Sequence, residues 1–382
     1  MTERYDDAIV GAGIVGLAHA YHLARRGRRV VVFERNRRAV GASVRNFGML
    51  WPIGQPDGPR RVTALRSLEI WREVLADAEI WHENVGSIHL AHHDDEAQVL
   101  REFHEQSLQQ NFPCDILSPE QVLKRSPFAR REGLALGLES RHEICVDPRE
   151  VVARLPDWLT KRFGVRFEFS RTVVGYDRPR VLAPGGPWEA DRLFICAGED
   201  IQTLYPDAFA DAQLRLCKLQ MMRTAPLGPN LRIGPMPAAG LTLRHYDSFA
   251  GCPSLPSLRA RVARENPEFD RFGIHVMASQ NGRGEVSLGD SHEYGDDAIR
   301  PFDSAEIESI ILKYLNTFLD IPDLKIAERW QGVYLKHAGK AEVVVRPEPG
   351  VVLVAGVGGA GMTLSFGLAE RVVDQSLEKA SL

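Results

Sequence analysis

The sequence predicts an α/β fold in two units, one with a parallel central sheet and one of α+β type built on an antiparallel sheet. Three features of the chain indicate this. A glycine-rich turn lies between two apolar runs at the start. From about 214 to 289, strand-like runs alternate with turns rich in proline and glycine, which is typical of an antiparallel sheet. Another strand-like run followed by a glycine-rich turn lies near the end of the sequence.

The opening stretch has the pattern of a Rossmann-type dinucleotide-binding unit. An apolar run meets Gly11-x-Gly13-x-x-Gly16, a helical pattern follows, and a second apolar run ends at Glu34. Gly11 allows the tight turn out of the strand, Gly13 lets a pyrophosphate approach the backbone, and Gly16 lets helix and strand pack closely. The helix N-terminus presents free N–H groups and a positive dipole end to phosphates. Glu34 stands where a carboxylate accepts both ribose hydroxyls.

Length and composition are those of an ordinary globular protein of two to three domains. The chain has 382 residues, 44% of them hydrophobic, and a net charge of −4, which gives no support to nucleic-acid binding. Its five cysteines show no metal or redox spacing, so we expect a reducing compartment and no metal site. The uncharged stretch 351–369 contains glycines typical of strand–turn–helix, not of a membrane span. We expect a cytoplasmic enzyme without a signal peptide.

Apolar periodicity and turn residues predict the elements between the two ends. The predicted helices are 60–78, 95–110, 148–164, which Pro156 should kink or split, and 304–319. The predicted strands are 86–91, a β-meander within 165–181, 191–198, 216–223, 241–246, 272–278, 285–288, 327–336, 341–345 and 351–355.

A second glycine cluster, Gly356-Val-Gly358-Gly-Ala-Gly361, distinguishes between cofactors. It also fits GxGxxG, but the sequence continues for only 21 residues, too few for a second strand with a ribose-binding acid. We therefore expect a strand, a glycine turn and a helix from about Met362, whose N-terminus faces something negative. The pyrimidine edge of a flavin gains negative charge on reduction, whereas a nicotinamide ring becomes neutral. The two clusters together favour FAD over NAD.

With these features the chain resembles the D-amino-acid oxidase, glycine oxidase and sarcosine oxidase family of flavoenzymes. The resemblance rests on the first glycine fingerprint, the loop 43–48, the strand 193–198 and the turn 356–363. It implies an extended FAD and an interleaved chain. The FAD-binding domain would comprise 1–80, 147–213 and 326–382, and the substrate-binding domain 81–146 and 214–325. Fingerprint and resemblance together give these cofactor-binding residues: Gly11, Ala12, Gly13, Gly16, Glu34, Arg35, Ser43, Arg45, Asn46, Gly48, Val173, Ala197, Gly198, Gly358, Gly359, Gly361, Met362 and Thr363.

The resemblance implies oxidation of a C–N bond in a small amine, with hydride transfer to the flavin and hydrolysis of the resulting imine. Such a reaction does not strictly require a general base. The electron acceptor is O2 or another carrier, and Lys218, at the start of a predicted strand, is a candidate for activating O2. Neither a nucleic acid nor a membrane is expected as a partner, and the oligomeric state is open.

The groups that face the substrate lie in two stretches. Family members that act on carboxylates carry an arginine shortly after a Trp-x-Gly strand motif, for a bidentate contact. Here Tyr334 stands at that position, followed by Lys336 and His337, and these cations suit a tetrahedral anion at least as well as a planar carboxylate.

The second stretch is the predicted strand 241–246. Alternation would place Arg244 and Tyr246 on one face of this strand and His245 on the other. One of the two faces should point to the flavin, and the spacing alone does not say which.

Two segments, 45–55 and 241–246, resemble a subgroup associated with aminophosphonate breakdown. This resemblance predicts oxidation of a 2-aminoethylphosphonate-type compound, or its N-methyl derivative, to a phosphonoaldehyde. One alternative is a D-amino-acid, glycine or sarcosine-type oxidase or dehydrogenase that uses Arg244 as the carboxylate ligand. Further alternatives are an NAD-dependent dehydrogenase and a non-catalytic flavin-binding protein, the latter favoured by the lack of an obvious acid/base pair.

Overall fold

Two large sheets organise the chain, one parallel at its centre and one largely antiparallel. The computed structural model describes residues 3–210, 212–295 and 299–378. The strands are β1 (Glu3–Val10), β2 (Val30–Glu34), β3 (Met49–Leu50), β4 (His82–Glu83), β5 (Ser87–Ala91), β6 (Asp115–Leu117), β7 (Leu136–Ser140), β8 (Ile144–Val146), β9 (Arg166–Phe169), β10 (Gly175–Asp177), β11 (Arg180–Leu182), β12 (Trp188–Ile195), β13 (Leu214–Thr224), β14 (Met236–Ala239), β15 (Met277–Gln280), β16 (Val286–Gly289), β17 (Glu293–Tyr294), β18 (Ile326–His337), β19 (Val343–Val345) and β20 (Val351–Ala355).

The helices alternate with these strands along the chain. They are α1 (Ile14–Arg25), α2 (Pro59–Asp77), α3 (Asp94–Gln109), α4 (Pro119–Arg125), α5 (Pro148–Phe163), α6 (Pro206–Ala210), α7 (Gly240–His245), α8 (Leu255–Glu265), α9 (Pro267–Arg271), α10 (Ala305–Phe318) and α11 (Gly361–Glu378). None of the helices in the described part of the chain is long and apolar enough to cross a membrane.

The first sheet has the parallel core expected of a Rossmann-type unit. Strands β20, β12, β1, β2 and β9 run parallel to one another, and the β10–β11 hairpin and β19 extend the sheet with antiparallel pairs. Alternate residues face opposite layers: Ile9 and Val32 pack with α1, α2, α5 and α11, whereas Ala8 and Phe33 pack on the other side. Because both faces are covered, these strands are continuous apolar runs.

The turn between β1 and α1 accepts only glycine at two positions. Gly11 has a φ of +99°, and a Cβ added to it would lie 2.4 Å from the carbonyl oxygen of Cys196. A Cβ on Gly16 would lie 2.0 Å from the carbonyl oxygen of Gly11. The absence of side chains therefore lets α1 begin directly at the carboxyl edge of the sheet, where ligands of such folds bind.

The second sheet is antiparallel except for the β14–β5 pair, which confirms the predicted α+β unit. Its longest contact joins β13 to β18, in which Cys217 lies opposite Tyr334. One face packs on α3, α8 and α10 around buried residues such as Phe103, Leu258 and Ile311. The hairpin β15–β16 lies in the middle of this sheet.

Several predictions about local structure are wrong. The predicted strand 241–246 lies in α7, Gly240–His245, and its C-cap Tyr246, because a short apolar run buried on all sides satisfies either element. The predicted strand 272–278 is displaced, since β15 begins only at Met277. The stretch 165–181 is not a meander, since β9 joins β2 in parallel and only β10 and β11 form a hairpin. Helix α5 runs through Pro156 without being split, and a kink at Pro156 stays a prediction.

The structure also bears on the expected domain boundary at residue 326. Strand β18, residues 326–337, pairs along its length with β13 of the second sheet. We propose that the second domain therefore includes residues 326–337 and that the C-terminal segment of the FAD-binding domain begins after them. The other expected boundaries stay predictions.

Asp7 provides a test of what holds the first sheet to its helices. It is fully buried, with ion pairs to Arg192, at 2.7 Å, and to Arg28. We expect Asp7→Ala to lower the free energy of unfolding by about 3–5 kcal/mol, because two arginines lose their counter-charge. Asp191→Ala, which removes an exposed pair with Arg4, should cost less than about 1 kcal/mol. Urea unfolding of the two variants measures the difference, and equal losses would contradict this account.

Candidate active site

A cavity of about 590 Å³ is lined by residues from both large sheets. The first sheet and its turns contribute Gly11, Gly13, Glu34, Gly198 and the segment 356–363. The second sheet and α7 contribute residues including Met277, Tyr334, Lys336, His245 and Tyr246. The volume is in the range of small-molecule and cofactor sites.

The end of β2 and the start of α1 form a cradle suited to a nucleoside diphosphate. The buried Glu34 carboxylate accepts hydrogen bonds from the backbone N–H groups of Ala12 and Asn36, both at 3.0 Å. The N–H of Ile14 donates to the hydroxyl of Ser43 at 2.9 Å. A Cβ on Gly13 would lie 3.1 Å from that hydroxyl oxygen, so a larger residue there would require the Ser43 side chain to shift. A carboxylate beside a helix N-terminus matches the ribose and phosphates of a dinucleotide.

A second helix N-terminus opens into the same cavity. Helix α11 begins at Gly361, as predicted from the second glycine cluster, and Met362 and Thr363 in its first turn line the cavity. The N–H of Trp51 donates to the Thr363 hydroxyl at 2.9 Å, which ties this turn to the loop after β3. The positive dipole end of the helix fits the flavin edge that becomes negative on reduction.

Residues 6–375 match the model of the family described as FAD dependent oxidoreductase. The chain belongs to this family. The site geometry and the family agree on FAD as the cofactor, as the sequence predicted.

Several characterised proteins are similar to this oxidoreductase. A glycine oxidase of Geobacillus kaustophilus (strain HTA426) is 31% identical over 52% of this chain and 55% of its own length. A glycerol 3-phosphate dehydrogenase of Caloramator mitchellensis is 28% identical over 51% of this chain and 42% of its own length. The chain therefore spans about half the length of these two relatives. The crystal structure of the Geobacillus kaustophilus glycine oxidase has a TM-score of 0.78 at 20% identity, covering 98% of this chain and 95% of that one.

Most of the predicted cofactor residues line the cavity. They are Gly11, Gly13, Glu34, Arg35, Ser43, Arg45, Asn46, Ala197, Gly198, Gly358, Gly359, Gly361, Met362 and Thr363. Four others do not line it. Ala12 donates to Glu34, Gly16 packs on Gly11, Gly48 donates to the Asn46 side chain at 2.8 Å, and Val173 is buried in the same core cluster as Phe33. Direct contact of these four with FAD stays a prediction.

The predicted substrate residues divide in the same way. His245, Tyr246, Tyr334, Lys336 and His337 line the cavity. Arg244 does not: it forms an ion pair with Asp270, because helix α7 turns its side chain away from His245. Lys218 lies on the face of β13 opposite to that of Cys217 and donates to the Phe302 carbonyl at 2.7 Å, so it is not placed to activate O2.

Sequence reasoning missed a histidine–aspartate pair in the wall of the cavity. Nε2 of His275 lies 3.0 Å from Oδ1 of Asp290, and both side chains are buried. The backbones of the two residues exchange hydrogen bonds of 3.2 and 2.7 Å, which continue the β15–β16 hairpin and hold both side chains on one side. His292 lies near the same carboxylate, at 3.8 Å. The only signal in the sequence was the polar run Gly289–His292 after an apolar strand.

Three histidines, His245, His275 and His292, gather beside this carboxylate. Burial lowers the pKa of His292 to about 4 and that of His245 well below its usual range. Their nitrogens lie within 4.8 Å of one another, whereas two nitrogens on one tetrahedral metal ion lie roughly 3.3 Å apart. The rings of His245 and His275 stack, with centroids 3.9 Å apart, instead of pointing their edges at a common centre. The cluster therefore resembles stacked imidazoles more than a preformed metal site, and the absence of a metal stays a prediction.

Arg60 and Lys336 are two of the cationic side chains that line the cavity, beside Arg35, Arg45 and Lys340, and Arg60 was not predicted. Burial, with the nearby charges of Arg215 and Arg60, lowers the pKa of the Lys336 amine. Its ammonium lies 3.3 Å from the Tyr294 hydroxyl. The Nη1 of Arg60 lies 3.5 Å from the carboxylate of Asp247, and its Nε is buried without a hydrogen-bond partner among the described residues.

Glu34 offers a test of the cofactor site. We expect Glu34→Gln to raise the dissociation constant for FAD at least about tenfold, because each hydrogen bond to a charged acceptor contributes about 1.5–3 kcal/mol. Fluorescence titration of the apoprotein with FAD measures this. The matched control is Glu168→Gln, on the neighbouring strand β9, since Glu168 pairs with Arg166 and does not line the cavity. Unchanged FAD affinity in Glu34→Gln would place the ribose elsewhere.

Proposed function

We propose that this oxidoreductase oxidises the C–N bond of a small aminophosphonate, of the 2-aminoethylphosphonate type or its N-methyl derivative, to give a phosphonoaldehyde. The observation that carries the proposal is that Arg60 and Lys336 both line the cavity, with the charge of Arg60 acting on Lys336 and that of Lys336 acting on His245. Bound FAD supplies the hydride acceptor. Water then hydrolyses the imine to the aldehyde.

The charge of this wall suits a dianion better than a carboxylate. A phosphonate carries up to two negative charges, which match two cations, whereas a carboxylate carries one. The position at which carboxylate-specific relatives carry an arginine is occupied by the buried Tyr334. The lowered pKa of Lys336 reflects burial and the neighbouring positive charge, and a bound dianion would offset both. A relative named for glycerol 3-phosphate also supports a phosphoryl-type anion.

Different residues of the chain would bind the substrate, orient it and limit the access of water to it. Arg60 and Lys336 bind the anion, and so orient the rest of a short substrate along the cavity. Buried Met221, Met277 and Tyr334 form apolar walls that limit the access of water. His275 and Asp290 line the same cavity.

A glycine-oxidase-type reaction on a carboxylate amine is the second candidate. Arg60 favours this reaction, because an arginine with an unpartnered Nε can bind a carboxylate. The similarity to glycine oxidase also favours it. Arg244 no longer supports it, since its guanidinium pairs with Asp270. A purely structural role for bound flavin is disfavoured by the buried group of ionisable side chains in the cavity.

Substrate preference separates these candidates. We expect 2-aminoethylphosphonate or its N-methyl derivative to bleach the flavin anaerobically with a higher kcat/KM than glycine, sarcosine, D-alanine or glycerol 3-phosphate. The physical reason is that only a dianion with an amine satisfies both cations and the oxidation chemistry. Stopped-flow absorbance measures each rate. Faster bleaching by glycine or sarcosine would favour the second candidate.

Variants at the cations identify the anion ligand. We expect Lys336→Met to raise KM for the aminophosphonate about tenfold or more, with a smaller change in kcat, because a contact made equally in ground and transition state is lost. Arg244→Met is the matched control, since Arg244 does not line the cavity, and its KM should stay within about threefold. A larger effect of Arg244→Met than of Lys336→Met would overturn this assignment.

The pH dependence of anion binding has a definite sign. The pKa of Lys336 is lowered from 10.5, so its amine loses the proton at a lower pH than an exposed lysine. Because the bound dianion favours the protonated amine, the dissociation constant of n-propylphosphonate should rise as the pH increases through the lowered pKa of Lys336. In Lys336→Arg the guanidinium stays charged, and the rise should disappear. Perturbation of the flavin spectrum measures binding, and a flat wild-type profile would contradict the role of Lys336.

A further inference from the structure

We propose that Asp247 determines which anions this site accepts, because its carboxylate lies at the anion-binding end of the cavity and disfavours anions that carry no amine. The disfavoured ligands would include inorganic phosphate, simple alkylphosphonates and the phosphonoaldehyde product. The inference rests on the proposed function, in which Arg60 and Lys336 bind the anion of the substrate.

Asp247 lies where the cavity meets solvent. It begins a single 3-10 turn, Asp247–Phe249, shortly after α7, whereas Arg60 lies in the first turn of α2. Oδ2 of Asp247 is 3.5 Å from Nη1 of Arg60, and both residues line the cavity. The side chain of Asp247 is 72% exposed and that of Arg60 is 29% exposed. The pair therefore joins α2 to the turn after α7 at the entrance of the cavity.

A close contact of the preceding residue fixes the position of this carboxylate. A Cβ on Gly54 would lie 2.6 Å from the ring of Tyr246, so the residue before Asp247 packs directly on the loop that leads into α2. The carbonyl of Asp247 accepts a hydrogen bond from the N–H of Ala250 at 3.1 Å, which closes the turn. The fold therefore holds Asp247 near Arg60, and an exposed ion pair, which contributes little in water, does not have to do so alone.

Asp247 differs from the other acids that line the cavity, which are Glu34, Glu199 and Asp290. Of these described acids, Asp247 is the one that forms an ion pair with Arg60. Burial lowers the pKa of the Lys336 amine, and the charge of Asp247 opposes this shift. The same carboxylate therefore acts on both of the cations that bind the anion in the proposed function.

The repulsion between Asp247 and a bound ligand depends on the net charge of the ligand. At neutral pH a short aminophosphonate carries about one net negative charge, because its ammonium group offsets part of the dianion. An alkylphosphonate, or the aldehyde that remains after loss of the amine, has the dianion without a cation. Asp247 therefore raises the dissociation constant of these ligands more than that of the substrate, and it favours release of the product.

Ligand binding to Asp247→Asn in the full-length holoenzyme tests this inference. Perturbation of the flavin spectrum measures the dissociation constant of n-propylphosphonate. The constant of 2-aminoethylphosphonate comes from the concentration dependence of anaerobic bleaching, or from the same perturbation if no bleaching occurs. We expect Asp247→Asn to tighten binding of n-propylphosphonate about three- to tenfold and that of 2-aminoethylphosphonate by at most about half that factor, because the repulsion scales with net charge. In about 0.5 M NaCl the difference should shrink, since salt screens exposed charges.

Two further variants serve as controls. Asp247→Glu keeps the charge, and the ratio of the two dissociation constants should stay within about twofold of the wild-type ratio. Asp270→Asn removes an exposed acid that pairs with Arg244 and does not line the cavity. In this matched control neither constant should change more than about twofold.

The outcomes separate the inference from the proposed function. Equal tightening of both ligands in Asp247→Asn, or no tightening, would overturn the inference, as would an equal effect of Asp270→Asn. Weaker binding in Asp247→Asn would also overturn it, because Asp247 would then only orient Arg60. If 2-aminoethylphosphonate does not bleach the flavin but the two constants separate as expected, the proposed reaction fails and the selection by Asp247 stands. If bleaching occurs and the constants do not separate, the inference alone fails.

Discussion

The close contact between the glycine turn and the edge of the parallel sheet is the constraint on which the cofactor site depends. A Cβ on Gly11 would meet the Cys196 carbonyl at the end of β12, and a Cβ on Gly16 would meet the Gly11 carbonyl. Only backbone without side chains lets β1, α1 and β12 approach so closely. The start of α1 and the Glu34 carboxylate are thereby fixed on one side of a single cavity, and α11 brings a second helix N-terminus to it.

The second sheet contributes the chemistry that faces the substrate, through strand ends that are distant in sequence. The hairpin β15–β16 places His275 beside Asp290, and β18 brings Lys336 to the same cavity. Helix α7 adds His245, whose ring stacks on His275. Because these elements belong to a hydrogen-bonded sheet and its packed helix, the side chains are held by a rigid scaffold instead of by loops alone.

The electrostatic character of this wall is unusual for a buried surface. Burial disfavours the charged forms of His245, His292 and Lys336, and one carboxylate, Asp290, lies among the histidines. Such an arrangement disfavours positive charge in the free protein, and an anionic ligand would offset that penalty. The compact anion of a small zwitterion has that negative charge.

The sequence by itself determined the fold class, the cofactor and the family. Glycine spacing, apolar runs and the acid at the end of β2 are local patterns, and a Rossmann-type FAD-binding unit explains all of them together. It also indicated Tyr334, Lys336 and His245 as cavity residues. It did not determine the conformation of residues 241–246, since a short buried apolar run fits a strand and a helix equally well, and so Arg244 was placed wrongly. Only the tertiary structure brought His275 to Asp290 and Arg60 to Lys336, because strand pairing and helix packing join residues whose spacing in the chain carries no signal.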